Sequence, residues 1–353
     1  MVQKNEFLAT EPIGKLLAKL AIPTVAAQLI NMLYNIVDRI YIGHIPGSGS
    51  LALTGIGVCL PLILTISAFA ALISMGGAPR TSIFMGKNEN DKAEEILGNC
   101  FSAQILVSLV LTVILLVFNK DILLAFGASE NTIGYANSYM NIYAVGTIFV
   151  QLTLGMNAFI TAQGFSKVSM ISVVIGAVTN IILDPIFIFV FDMGVQGAAL
   201  ATIISQALSC AWALMFLFGK NSVLKIKLKN LKISSKVLGP CIALGLAPFI
   251  MQISESIISV CFNSSLLKYG GDLAVGSMTI LTSIMQFTMM PLQGIGQGAQ
   301  PIISYNYGAR KSDRVKKAFF TLLKANMIYA FLLWSLSMFT PKLLVSLFTT
   351  DPE

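Results

Sequence analysis

Charged residues are scarce in this chain: only 11% of its 353 residues are Asp, Glu, Lys or Arg. Soluble domains carry roughly 25%, so a soluble globular domain is excluded. The single histidine, His44, argues against a histidine metal site, and the five cysteines lack paired or CxxC spacing. The P-loop pattern GxxxxGK[ST] and a Ser/His/Asp or Cys/His nucleophile set are also missing. We therefore expect no enzyme activity.

Apolar residues are abundant instead. They make up 56% of the chain, and the mean hydropathy is +0.80. A bilayer core requires about 20 apolar residues per helical span, and such runs recur along the whole sequence. The chain is therefore predicted to be an all-α integral membrane protein with about nine transmembrane helices. The predicted spans are 17–42, 52–79, 96–118, 132–161, 168–191, 195–218, 238–263, 275–299 and 318–340.

Basic residues are distributed unevenly between the predicted loops. With the N-terminus in the cytoplasm, eighteen Lys and Arg residues lie in inside segments and three in outside segments. This asymmetry predicts a multi-pass protein of the cell membrane with a cytoplasmic N-terminus. It also accounts for the net charge of +7 without a nucleic-acid partner.

Two parts of the sequence repeat. The stretch GGAPRTSIFMGKNENDKAEE (76–95) resembles GAQPIISYNYGARKSDRVKK (298–317), which starts 222 residues later, and Pro23 pairs with Pro248 at nearly the same offset. One repeat unit contains six spans, so both copies have the same orientation and a pseudo-twofold axis runs along the membrane normal. Gly294 and Gly298 have the small-xxx-small spacing that predicts close helix packing.

The repeat divides the chain into three parts. We expect an N-terminal lobe of six helices (1–219), a basic cytoplasmic linker (220–236) and the first three helices of a C-terminal lobe (237–353). FTTDPE (348–353) aligns with FGASEN (126–131), where a fourth span of the second copy is expected to begin, so we expect three spans to be missing. A true nine-span protein is the alternative.

The linker NSVLKIKLKNLKISSK (221–236) alternates lysines with Val, Leu and Ile. This pattern favours an interfacial segment that lies on anionic headgroups. A regulatory binding role is the alternative interpretation.

Polar residues follow one face of the first span: Thr24, Gln28, Asn31, Asn35 and Asp38 are spaced i, i+4, i+7, i+11, i+14. Lipid would penalise all of them, so this face is predicted to line protein or a water-filled cavity.

Later spans carry a second polar set. Asn180 and Asp184 are four residues apart on the fifth span, and Pro185 follows at once. Proline cannot donate a backbone hydrogen bond and bends the helix. Oxygen ligands beside a broken helix suit a small cation. Thr202 on the sixth span adds a hydroxyl oxygen to these candidate cation ligands. On the seventh span, Gln252 and Glu255 lie near Pro248.

Three acids, Asp38, Asp184 and Glu255, fall inside predicted spans. Each ionised carboxylate at a helix centre costs about 2.5–3.5 kcal/mol, and no basic residue is predicted at similar depth as a partner. A bound proton or metal cation would remove this cost. The alternative is that the Asn and Asp side chains only join helices through hydrogen bonds.

Three motifs on this two-copy plan, YNIVDRIYIG (34–43), NIILDPIF (180–187) and QPIISYNYGAR (300–310), resemble the MATE family of multidrug and toxin extrusion antiporters. The resemblance implies two six-helix lobes in a V around a central cavity. It also implies alternating access driven by H⁺ or Na⁺ entry, and export of cationic amphipathic drugs or toxins. We therefore expect small organic cations and the lipid bilayer as partners. We also expect that the protein needs no cofactor and is a monomer.

The resemblance also carries over site residues. Asp38, Asn180, Asp184 and Thr202 match the cation-coupling site of the N-terminal lobe, with Na⁺ at Asp38, Asn180 and Asp184 as one option. Glu255 resembles an acidic position of the C-terminal lobe. The expected cavity residues are Gln28, Asn31, Asn35, Gln252, Met285 and Met289, and the expected helix kinks are at Pro23, Pro185 and Pro248.

Two other functions stay open. A flippase for lipid or polysaccharide precursors, on a related two-lobe plan, would require Arg and Lys residues in its cavity to hold phosphates. A channel or a non-transporting membrane scaffold is the third class, and a channel would conduct current without substrate exchange.

Overall fold

The computed structural model describes residues 6–339; side chains are left undescribed at Ser337 and at many positions between 259 and 287. Every regular element in this range is a helix, as the apolar runs predict. The elements are α1 (Phe7–Thr10), α2 (Ile13–Gly43), α3 (Gly49–Gly86), α4 (Asn90–Ala125), α5 (Ile133–Ala162), α6 (Ser166–Pro185), a π-helical turn (Ile186–Val190), α7 (Gly194–Phe218), a 3₁₀ turn (Leu228–Asn230), α8 (Ser235–Gly308) and α9 (Ser312–Phe339).

The long helices extend beyond the predicted spans. α4 begins at Asn90 rather than at residue 96, and α3 ends at Gly86 rather than at residue 79, because hydropathy marks only the hydrocarbon core and polar residues continue the helix into the interface. By length and composition, eight helices in the described residues could cross a membrane. Residues 348–353, where a fourth span of the second copy is predicted to begin, lie outside the described residues.

The helical assignment of α8 is continuous, yet both of its ends contact α3. Gly245 lies against Leu72, and Gly308 lies against Ile83. A straight helix would separate Gly245 from Gly308 by roughly 95 Å, whereas Leu72 and Ile83 are only about 16 Å apart on α3. The chain therefore folds back within α8. We call residues 235–258 its first arm and residues 288–308 its second arm.

The repeat in the sequence is visible in the backbone. α3 ends at Gly86 and α8 ends at Gly308, which are 222 residues apart. Beyond these ends, Asn88 and Arg310 both have left-handed backbone angles, with φ of 61° and 57°. These two residues are also 222 apart, and such angles are uncommon outside glycine. Equivalent positions of the two copies thus fold in the same way.

Glycines allow the two copies to pack closely. Gly76 of α3 lies against the backbone at Cys241 in the first arm of α8, and its repeat partner Gly298 in the second arm lies against Ala21 of α2. Each contact joins a helix of one copy to the first membrane helix of the other. Small residues permit such close backbone approach, so these glycines fix how the two copies meet.

Polar bonds join the copies beside the glycine contacts. Thr24 Oγ1 donates to the carbonyl oxygen of Gly294 at 2.6 Å, and Gln28 Nε2 donates to Gln297 Oε1 at 3.2 Å. Both bonds connect α2 to the second arm of α8. Part of the polar stripe on α2 therefore faces the other copy, which satisfies groups that lipid would leave unpaired.

One face of the bundle holds most of the basic loops. We call it the basic face; it comprises residues 6–12, 87–89, 163–165, 219–234 and 309–311. The glycine contacts between the copies lie in the half of the bundle nearest to it, and a buried apolar cluster there contains residues of both copies. A second cluster, at the opposite end, is formed by residues of the first copy.

The N-terminal segment closes part of the basic face. Leu8 is fully buried, and its carbonyl oxygen accepts hydrogen bonds from Asn306 Nδ2 at 2.9 Å and from Arg314 Nη2 at 3.2 Å. Phe7 lies against Gly164 at the end of α5. The segment therefore contacts both copies and ties them together at this face.

The glycine contacts generate a prediction with an internal control. In Gly298→Ala the new methyl group would lie 2.5 Å from the Ala21 Cα, whereas at Gly296 nothing lies within 4 Å. Overpacking costs about 1–3 kcal/mol. We expect Gly298→Ala to lower the melting temperature of the purified protein by several degrees and Gly296→Ala to leave it unchanged or slightly raised. Equal effects of the two changes would contradict the packing described for α2 and α8.

Candidate functional site

Two acids meet where α2 packs on α6. The carboxyl groups of Asp38 and Asp184 lie within hydrogen-bonding reach of each other. Asp184 and Asn180 are buried, and Asn180 Nδ2 donates to Asp184 Oδ1 at 3.0 Å. Two ionised carboxylates this close repel each other strongly, so one of them must hold a proton or both must share a cation. We call Asp38 and Asp184 the acid pair.

Three oxygen atoms at the acid pair are buried without a hydrogen-bond donor among the described residues. They are Asp38 Oδ1, Asn180 Oδ1 and Asp184 Oδ2. Buried polar atoms are nearly always satisfied, and oxygen ligands suit a small hard cation. A proton or Na⁺ fits this set. The described residues contain no group of three His, Cys, Asp or Glu side chains with metal-binding geometry.

The backbone beside the acid pair is irregular. α6 ends at Pro185, directly after Asp184, and the chain continues as a π-helical turn over Ile186–Val190. Proline has no N–H to donate to the preceding turn, and π-helical turns are frequent at functional sites. The carboxylate thus lies at the point where the hydrogen-bond ladder of α6 changes register.

Tyrosines and a glutamine surround the acid pair, and sequence reasoning missed them. Tyr34 lies near both acids and within hydrogen-bonding reach of Gln206. Tyr139 lies near Asp38 and within reach of Thr202. Tyr34 is four residues before Asp38 on α2, so helical spacing could have identified it, but its ring was counted as apolar. Nothing in the sequence pairs α5 with α7.

A cavity of about 290 Å³ lies beside the acid pair. Among the residues that line it in the described chain, none is acidic or basic. Its polar lining combines ten Ser and Thr hydroxyl groups and Tyr34 with eight carboxamides: Gln28, Asn31, Asn157, Asn180, Gln206, Gln252, Gln297 and Gln300. The cavity can therefore form many hydrogen bonds but holds no formal charge of its own.

Four side chains connect the cavity to the acid pair. Tyr34, Asn180, Thr202 and Gln206 line the cavity; Asn180 donates to Asp184, and the other three lie close to an acid or to a tyrosine next to one. The acids themselves lie behind this layer. Charge at the acid pair thus acts on the cavity across one layer of neutral side chains.

The other expected site residues fall in different places. Gln28, Asn31 and Gln252 line the cavity. Asn35 is exposed, and its amide donates to the carbonyl oxygen of Asn31 at 2.6 Å. Glu255, Met285 and Met289 are exposed and do not line this cavity. Pro23 lies inside α2 and Pro248 inside α8, and a kink at either proline stays a prediction.

Known proteins resemble this chain along most of its length. A family model described as MatE matches residues 23–186 and 248–353. The multidrug export protein MepA of Staphylococcus haemolyticus strain JCSC1435 is 27% identical over 341 residues, covering 97% of this chain and 75% of that protein.

Solved structures share the fold. An outward-facing multidrug resistance MATE family transporter of the MOP superfamily matches with a TM-score of 0.91 at 23% identity, over 99% of this chain and 77% of that one. A structure described only as protein A matches with a TM-score of 0.91 at 32% identity, over 99% of this chain and 78% of that one.

The acid pair predicts a cation-dependent stability. A proton or Na⁺ that binds only the folded site raises stability by about 2.7 kcal/mol at a hundredfold excess over its Kd. We expect the melting temperature of the wild type to rise by several degrees when the pH falls from 8 to 6, or when Na⁺ is added at pH 8. Asp184→Asn should weaken the response to whichever cation binds. The matched control is Asp121→Asn at an exposed position on α4. If Asp184→Asn responds like the wild type, the acid pair binds neither cation.

Proposed function

Because this chain belongs to the MatE family of membrane transporters, we propose that it is a secondary antiporter that exports cationic, amphipathic organic compounds in exchange for H⁺ or Na⁺. The observation that carries the proposal is the acid pair placed behind an uncharged cavity. The name of the MepA relatives, multidrug export protein, supports the substrate class.

The acid pair supplies the charge that the cavity lacks. When the pair is fully ionised, its negative potential reaches the cavity through Tyr34 and Asn180 and attracts an organic cation. When a proton or Na⁺ enters the pair, its charge falls from two negative charges to one, and the weaker attraction releases the organic cation. Ion and substrate therefore compete for one charge without occupying the same space, which is the requirement for antiport.

The ion can also change the shape of α6. Neutralising Asp184 alters the bond from Asn180 and the repulsion from Asp38, next to the junction of Pro185 with the π-helical turn. A helix with an interrupted hydrogen-bond ladder bends at lower cost than a regular one. Bending there would move the part of α6 that carries Asn180 at the cavity wall.

The membrane gradients supply sufficient energy. One proton that moves down 100 mV and one pH unit releases roughly 2.3 kcal/mol from the potential and 1.4 kcal/mol from the pH difference. Together these support a several-hundred-fold gradient of a second solute. No nucleotide needs to be hydrolysed.

The flippase alternative requires a basic cavity. A site that holds phosphate groups needs Arg or Lys side chains at hydrogen-bonding distance, whereas the cavity formed by the described residues is lined by neither. Carboxamides, hydroxyl groups and the ring of Tyr34 suit organic cations with hydrogen-bonding groups better, so the antiporter is the function we propose.

Efflux under separately imposed gradients tests the proposed function. In cells or vesicles that carry the protein, ethidium efflux should follow either the pH or the Na⁺ gradient. Asp38→Asn and Asp184→Asn should each reduce it by about tenfold or more, because neither variant can discharge and reload the pair. Glu130→Gln, at an exposed loop position, is the control. Intact efflux by both Asp variants at normal expression would refute ion coupling at this site.

We also propose that the basic face is cytoplasmic, in agreement with the positive-inside rule. In a Cys261→Ser background the four remaining cysteines are buried. A membrane-impermeant thiol reagent applied to intact cells should label Asn131→Cys, on the opposite face, and leave Asn221→Cys, on the basic face, unlabelled. Both positions are exposed. The reverse labelling pattern would invert the proposed topology.

A further inference from the structure

The linker between the two copies is held firmly on the basic face. Gln163 is fully buried, and its Oε1 accepts hydrogen bonds from the backbone N–H groups of Val223 at 3.0 Å and Leu224 at 2.9 Å, and from Ser222 Oγ at 2.9 Å. Leu224 is fully buried in the apolar cluster of this face. The beginning of the linker is therefore anchored to the end of α5.

Two buried side chains of α4 fix the rest of the linker. Glu94 accepts from the backbone N–H of Lys225 at 3.2 Å and forms an ion pair with Lys227. Asn99 Oδ1 accepts from the backbone N–H of Ser234 at 2.7 Å, and its Nδ2 donates to the carbonyl oxygen of Asn230 at 3.2 Å. Both residues of α4 are more than 90% buried. The linker backbone is thus preorganised up to the first residue of α8.

This anchoring leaves a basic cavity of about 530 Å³ between α4, the linker and the start of α8. Lys229, Lys232 and Lys236 line it, and Glu95 is the single acid among its described lining residues. The three lysines form no ion pair with any described residue, in contrast to Lys227 with its partner Glu94. The cavity therefore has an excess of positive charge that the protein does not neutralise.

Apolar side chains flank the lysines. Leu228 is 85% exposed and Ile233 is 42% exposed. Both lie within eight residues of Ser235, where the membrane-spanning part of α8 begins. Lysines beside exposed aliphatic groups at the start of a span are typical of a segment at the headgroup level of a bilayer. A soluble anion would use the lysines and leave these apolar groups in water.

We propose that this cavity binds the phosphate headgroup of an anionic phospholipid from the adjacent leaflet. The lysine ammonium groups neutralise the headgroup, the hydroxyls of Ser234 and Ser235 line the same cavity and donate hydrogen bonds, and Leu228 and Ile233 contact the acyl region. Zwitterionic lipids carry no net charge and bind more weakly.

The position of the site gives the lipid a role in conformation. Asn99 belongs to the first copy, and Lys236 belongs to the first arm of α8 in the second copy. A headgroup between them joins the two copies at the basic face. Anionic lipid therefore stabilises the conformation in which the copies meet there, and its removal favours separation of the two copies at that face.

Lipid binding to the purified protein in nanodiscs tests the proposal. The probes are bilayers of phosphatidylcholine alone and bilayers with one quarter phosphatidylglycerol, and the readouts are the melting temperature and the number of retained anionic lipids by native mass spectrometry. Each lysine near a charged surface contributes roughly fivefold in affinity. We expect K229Q/K232Q/K236Q to weaken retention of phosphatidylglycerol by tenfold or more.

A matched variant separates the site from general surface charge. K15Q/K316Q/K317Q removes three exposed lysines elsewhere, and it should retain phosphatidylglycerol within about twofold of the wild type. Glu95→Gln should retain it more tightly. All variants should melt like the wild type in phosphatidylcholine alone.

Three results would overturn the proposal. They are equal losses in the two triple variants, no loss in either of them, or complete displacement of the lipid by millimolar glycerol 3-phosphate, which would identify a site for soluble phosphates instead. A failure here leaves the proposed antiport untouched, because that function depends on the acid pair and not on the linker.

Discussion

The repulsion between Asp38 and Asp184 is the interaction on which the proposed function of this protein depends. The two carboxyl groups lie within hydrogen-bonding reach in a site where Asp184 is buried, so the pair is stable only with a proton or a cation. Asn180 supports one of the acids and also lines the cavity. In the proposed function, the site therefore carries one negative charge when an ion is bound, and two negative charges that attract an organic cation when the ion has left.

Close contacts hold the two copies together near the basic face. Glycines at repeat-related positions, Gly76 and Gly298, bring each copy close to the first membrane helix of the other. The N-terminal segment and the linker add polar contacts on the same face. Because these contacts lie at the basic face, the copies can separate there only when many small interactions break together.

Much of the fold and of the candidate site could be predicted from the sequence, because helical spacing and the cost of burying a polar group are local properties. The stripe from Thr24 to Asp38, the Asn180–Asp184 spacing and the 222-residue repeat identified the fold and the acid pair. The layer of Tyr34, Tyr139 and Gln206 could not be predicted, because it depends on which helices become neighbours. The docking of the linker on Glu94 and Asn99 was missed for the same reason. Its alternating pattern indicated a membrane surface and gave no sign of buried polar anchors.

In the proposed function, one negative site binds the ion and attracts the substrate in turn, and direct measurement of ion exchange tests this. When purified protein in weakly buffered solution binds an organic cation such as ethidium, we expect release of about one H⁺ or Na⁺ per cation bound. We also expect the apparent affinity for ethidium to fall as either the proton or the Na⁺ concentration rises, and Asp38→Asn and Asp184→Asn to abolish this dependence. Ethidium binding with no ion release and with the same affinity at every pH and Na⁺ concentration would show that the acid pair does not couple ion and substrate.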